Sequence, residues 1–246
     1  MRYFLELAYF GKAYHGWQRQ PNAPSVQETV ENGLGILFQR PVEIVGAGRT
    51  DAGVHARQIF AHFDAEEDPG KDLVFRLNSL LPEDIAAVDV LPVNLDAHAR
   101  FDAVSRSYEY YIVQKKDVFA TDTAYWVKRE LNVEKMNEGA LVLMKYSNFK
   151  CFSRSRTDVR TYNCEIFHAY WEQTENSLVF HIKADRFLRN MVRAIVGTLL
   201  QIGLGKIEVD AMHEIIKSEN RSEAGASVPA HGLFLTKIEY PNRIFI

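Results

Sequence analysis

Residues 46–56 read GAGRTDAGVHA, and a strand pattern at 58–63 follows almost at once. Three glycines in eight residues (Gly46, Gly48 and Gly53) let a loop take up positive φ and let a ligand or another backbone come close. No Gly-Lys-Ser/Thr follows, so the loop is not a phosphate-binding P-loop. Asp51 is its one carboxylate, two residues from Arg49. A carboxylate beside a cation suits a nucleophile. The same residues suit a tight turn with a surface ion pair, and glycine spacing alone favours that turn.

Working outward, a short strand is expected at 42–45 and another over 1–10, with a proline-bounded loop at 21–24. Ser25 and Glu28 make a capping-box pattern, in which each side chain satisfies an exposed backbone N–H of the first helical turn. The apolar stripe Val26, Val30, Leu34 and Phe38 follows it. A helix near 73–81 and a strand at 85–93 complete a first half. The second half repeats the plan loosely. It offers a strand at 107–114, a helix at 133–146 capped by Asn132, and paired strands at 162–171 and 178–184. Its strongest helix spans 187–202, with Leu188, Val192, Ile195, Leu199 and Ile202 on one stripe. A helix near 210–218 and a strand at 233–240 end the chain. Strands and helices interleave without G-x-G-x-x-G or a run of short parallel units. The expected class is α+β, with two related α/β halves, 1–104 and 105–246, sharing an antiparallel sheet.

The 246 residues are 47% hydrophobic and 25% charged, an ordinary globular composition. No run approaches the roughly 20 apolar residues that a membrane helix needs, and MRYFLELAYF reads as a strand rather than a signal peptide. Cys151 and Cys164 are too few for a disulfide framework, which fits a reducing cytoplasm. A net charge of −3 runs against a nucleic-acid binder, because phosphate binding depends on Lys and Arg. Net charge does not locate the charges, and any one basic group taken alone reads as a solvated face with local ion pairs. Arg154, Arg156 and Arg160 cluster after Phe152. Arg186, Arg189 and Arg193 recur at helical spacing as one stripe. Arg100, Arg106, Lys115, Lys116 and Arg129 add to them, and convergence of these groups would make a basic cleft on an acidic protein. The eight histidines show no H-x-x-x-H or H-E-x-x-H spacing, so no metal is expected. Trp17, Trp126 and Trp171 are expected in the core.

YFGKAYHGWQRQ with SVQETVE, then GAGRTDAGVHA, AHARFDAVSRSYEYYI, FLRNMVRAIVG and GLFLTKIEYP stand in this order along the chain, and together they resemble the tRNA pseudouridine synthase A family. The resemblance implies a pseudouridine synthase fold, with the catalytic Asp loop in the first half and the second half completing the active cleft. It implies an isomerase acting on uridines 38, 39 and 40 in the anticodon stem-loop of tRNA, a cytoplasmic homodimer without cofactor or metal. Asp51 falls on the family's nucleophile and Arg49 on an arginine implicated in flipping the base. Tyr108 falls on the tyrosine that packs against uracil, Arg193 on a basic residue paired with the aspartate, and Leu233 on a pocket-lining position. Arg100 and Phe101, with Arg154 and Arg156, lie in stretches that match tRNA-contacting segments. Two positions depart from the family. Asn148 stands where members commonly carry Asp, and Val228 where they tend to carry Ala.

Two other functions use some of the same features. A catalytically silent RNA-binding module would need the basic cleft but not Asp51. A glycosidase would need two carboxylates about 5–10 Å apart, and Asp51 alone has a motif around it.

Overall fold

The computed structural model describes residues 1–154 and 159–246. They form two compact units, Met1–Val104 with Phe234–Ile246, and Ser105–Leu233.

The first unit is built on β1 (Arg2–Tyr9), β3 (His55–Asp64), β4 (Ile85–Val93) and β9 (Leu233–Glu239), in the order β4-β1-β3-β9. The central β1 runs antiparallel to both neighbours, placing Phe4 opposite His62 on one side and Leu91 on the other. Phe4, Leu5 and Leu7 are all fully buried, as a central strand covered on both faces requires. Helix α1 (Val26–Phe38) sets Phe38 edge-on against Phe63 of β3 and helix α2 (Leu73–Asn78) packs on β4, while Phe4 on the other face lies under the rings of Tyr240 and Phe245. Val26, Val30 and Leu34 of α1 have no exposed surface. At the head of α1, Ser25 Oγ accepts the Glu28 N–H at 3.3 Å. The reciprocal half of the expected capping box does not form, because the Glu28 carboxylate turns toward Arg19 Nε, 4.0 Å away.

The C-terminal segment joins this first unit, although a split of the chain at 104/105 groups it with the second. β9 adds to β3 in parallel through His55 with Phe234 and Ala56 with Leu235, and Phe245 bridges to Val93. Tyr240 packs edge-on against Phe4 and Phe60. The strand expected at 42–45 is instead the two-residue β2 (Val45–Gly46). Ile44 cannot extend it, because its N–H donates to Glu31 Oε1 (3.0 Å) and its carbonyl accepts from Gln27 Nε2 (2.9 Å).

The second unit holds β5 (Ser105–Val113), β8 (Leu178–Ala184) and β7 (Ile166–Gln173), antiparallel in the order β5-β8-β7, with β6 (Tyr125–Trp126) parallel to β5. Tyr110, Phe180 and Trp171 stand opposite one another across the three strands and are buried. Helices α3 (Val133–Leu143), α4 (Met191–Gly203) and α5 (Ala211–Ser218) complete the unit. Asn132 caps α3 as expected, its Oδ1 accepting the Lys135 N–H at 2.9 Å.

Two expectations fail here. α4 starts at Met191, four residues later than its apolar pattern allows, because Asn190 sits in the left-handed region at φ 67°. Arg186 and Arg189 therefore precede the helix and share no stripe with Arg193. Trp126 is 40% exposed on the short β6, with the Lys128 Nζ 4.8 Å from its ring centre, whereas Trp17 and Trp171 are core residues. Among the described residues no helix is long and apolar enough to cross a membrane.

Candidate active site

The loop between β2 and β3 is held from below by the segment that follows β1. Tyr9 closes β1 and its hydroxyl meets Thr50 Oγ1 at 2.8 Å. The next residues turn under the loop. Gly16, at φ +94°, leaves so little room that a Cβ would lie 2.3 Å from the Thr50 carbonyl oxygen. The Gly53 N–H donates to the Tyr14 carbonyl at 3.3 Å, and the Val54 N–H closes a turn on the Asp51 carbonyl at 3.2 Å. Gly53 itself has φ +78°, the conformation that glycine adopts without steric cost. The residues of YFGKAYHGW thus shape the backbone on either side of Asp51. Two segments some forty residues apart in the sequence form one structural device.

His55 completes it. The imidazole is buried, accepts the Gly11 N–H on Nδ1 at 2.9 Å, and lies between the rings of Phe10 (4.3 Å) and Phe234 (4.6 Å). Its work is structural. On this base Asp51 is half-buried and Arg49 is exposed.

Arg100 and Phe101 belong to the same unit, in the turn between β4 and β5. Phe101 is 73% exposed and the Arg100 guanidinium lies 5.6 Å from its ring centre. A cation over an exposed aromatic face suits stacking and phosphate contact together.

Tyr108, Arg193 and Leu233 lie in the second unit. Tyr108 stands on β5 opposite Ile182, half-exposed, with Phe187 edge-on at 5.1 Å. Tyr110, on the same face of β5, is buried and donates to the Pro229 carbonyl at 2.9 Å. Burial pushes that hydroxyl far above its ordinary range, so it remains a donor. Arg193 sits in the first turn of α4. Its Nε donates to the Val228 carbonyl at 2.7 Å, and the Val228 N–H returns to the Arg193 carbonyl at 3.2 Å. The first bond anchors the guanidinium at Nε, and the second ties the backbone of α4 to the same residue. Thr198 Oγ1 holds the Gly225 N–H at 2.9 Å, and Asn190 Nδ2 holds Ser227 Oγ at 2.6 Å. The chain from 225 to 229 is thereby clamped to α4 and β5, and it delivers Leu233 as a buried residue.

Arg154 is exposed, and its N–H donates to the Arg189 carbonyl at 3.0 Å. Arg156 lies outside the described residues. The two departures have local accounts. Asn148 Nδ2 donates to the Glu219 carboxylate at 3.1 Å, which Asp could not do. Val228 is buried and makes its site contacts through its backbone. Reading the sequence alone misses Tyr9, Thr50 and Gly16 as supports of the loop. Their only signal is that YFGKAYHGW and GRTD occur together.

An α+β chain whose glycine-rich loop is braced around an aspartate matches the family described as tRNA pseudouridine synthase over residues 7–102 and 146–241, one stretch from each half. The chain belongs to that family. Among its relatives, the tRNA pseudouridine synthase A of Parabacteroides distasonis is 53% identical, the alignment covering 99% of this chain and 98% of that protein. That of Porphyromonas gingivalis is 50% identical over 100% and 99%. That of Syntrophomonas wolfei, a more distant bacterium, is still 41% identical over 96% of each.

Proposed function

We propose that this protein converts uridine to pseudouridine at positions 38, 39 and 40 of tRNA, with Asp51 as the nucleophile. The reading is supported by the bracing of the loop around Asp51, in a chain that aligns end to end with proteins named tRNA pseudouridine synthase A. A surface turn would not need Tyr9, Gly16, Tyr14 and Gly53 all committed to its backbone geometry.

The reaction breaks the bond from ribose C1′ to N1 of uracil, turns the ring, and joins C1′ to C5. The C5 proton leaves, N1 gains one, and nothing is oxidised or reduced, so no redox cofactor is called for. The carboxylate of Asp51 attacks either C1′ or the uracil ring, and both routes need an ionised oxygen held still. Arg193, its Nε anchored on the Val228 carbonyl, is assigned to balance that charge. A stem uridine must leave its stack first, at a cost of a few kcal/mol. Arg49 is assigned to the vacated space, and Tyr108 with Leu233 to the extruded base. Arg100, Phe101, Arg154 and Arg156 are assigned to the surrounding tRNA, and the working form to a cytoplasmic homodimer.

The test is to incubate the protein with an unmodified tRNA transcript carrying uridine at 38, 39 and 40, and to map pseudouridine. Product confined to those positions is expected. Product elsewhere, or none, contradicts the reading.

A further inference from the structure

The turn that carries Arg100 and Phe101 is organised by imidazole nitrogens. His98 Nδ1 accepts the N–H of Arg100 at 3.1 Å and that of Phe101 at 3.4 Å. The preceding N–H, that of Ala99, is taken by Nδ1 of the buried His62 at 3.1 Å. Asp102 closes the turn, its Oδ2 accepting the His98 N–H at 2.6 Å while its own N–H donates to the His98 carbonyl at 3.0 Å. The Tyr240 hydroxyl and Arg2 Nη1 hold the Ala99 and Ala97 carbonyls. Successive backbone groups are satisfied inside the turn, which leaves the side chains of Arg100 and Phe101 as its outward face. The His98 ring also lies 4.2 Å from that of Phe101, tilted by 36°, so the phenyl ring is in contact with both the imidazole and the Arg100 guanidinium.

We infer that His98 is a positioning residue for tRNA recognition, its Nδ1 shaping the turn that presents Arg100 and Phe101. The inference rests on the reading that these two residues meet tRNA. An imidazole nitrogen that accepts two N–H groups must be unprotonated, with the ring proton on Nε2. The surroundings favour that form. Burial first, and Arg2 next, hold His98 below its ordinary value, against the opposing pull of Asp102. An aromatic and a guanidinium fixed in one arrangement lose less freedom on binding RNA than two side chains on a loose loop.

Steady-state kinetics on an unmodified tRNA transcript test this, with each variant's fold verified by melting. Arg100→Ala with Phe101→Ala should raise KM, and an unchanged KM would remove the tRNA-contact reading and the inference with it. His98→Asn keeps an acceptor close to the place of Nδ1 and should stay near the parent KM. His98→Leu removes both hydrogen bonds and should raise KM about tenfold, with kcat far less affected. Placed in the Arg100→Ala, Phe101→Ala background, His98→Leu should add little, because it acts through those residues. A parent-like KM for His98→Leu, or full additivity in that background, overturns the inference while leaving the tRNA contact standing. If His98→Leu does not fold, His98→Gln takes its place, since its carbonyl sits too far out to serve. Equal KM values for the Gln and Asn variants would then overturn it.

Discussion

Tyr108 carries two separable properties, a flat half-exposed ring and a hydroxyl, and substitution tells them apart. If the ring stacks on the extruded base, Tyr108→Phe keeps activity and Tyr108→Leu loses about 1–3 kcal/mol of flipped-state stabilisation. If the hydroxyl moves a proton, Phe alone abolishes product. Single-turnover rates of the two variants distinguish these, and a Leu variant as fast as the parent contradicts both. At this scale the sequence is legible where the backbone demands a residue type, as with Gly53 at φ +78° in the glycine-rich loop. It is not legible where the partner is distant and ordinary. The Tyr9 hydroxyl reaches Thr50 across 41 positions, and neither residue type announces such a bond. Val228 anchors the Nε of Arg193 with its backbone carbonyl, so its side chain carries no signal of that role.

Among the elements, strands and helices follow alternation and apolar stripes wherever local pattern and tertiary packing agree. They diverge where a distant group intervenes. Leu188 continues the stripe of α4, yet the helix starts only at Met191, with Asn190 left-handed and bonded to Ser227, 37 residues on. β2 is short because two side chains of α1 occupy the backbone of Ile44. The same α4 carries a sharp structural requirement at Gly197, where an added Cβ would lie 1.9 Å from the Ala226 carbonyl oxygen. Neither that backbone nor the helix can give way cheaply. Gly197→Ala should therefore lower stability by about 3 kcal/mol, at the high end of overpacking costs, and loosen the segment that orients Arg193. Urea denaturation measures the first effect and kcat the second. An unchanged denaturation midpoint would mean that the 225–229 segment is not clamped as described.

For the molecule as a whole, the net charge of −3 reveals little, because exposed Arg49, Arg100 and Arg154 present cations locally. The two-unit plan is partly visible in the chain. The passage of residues 234–246 into the first unit is not, since β9 carries the alternation of any strand and nothing in it names β3 as neighbour. Folding also sets a pH dependence. Burial, and after it Arg2, pushes His62 down from its ordinary 6.5 to about 4. The unfolded chain thus binds one more proton between these values, and this contribution to stability is lost as pH falls from 6.5 toward 4. The Tm of the parent should fall more steeply over that window than the Tm of His62→Asn, and equal slopes would contradict a neutral His62 in the fold. The central claim remains that Asp51 is the nucleophile on a preformed loop. Asp51→Asn keeps the size and hydrogen-bonding capacity of the side chain and removes its charge. Pseudouridine formation and tRNA affinity measured on that one variant test the claim most directly. The account predicts no detectable product with affinity within a few fold of the parent, and pseudouridine formed at a rate comparable to the parent would contradict it.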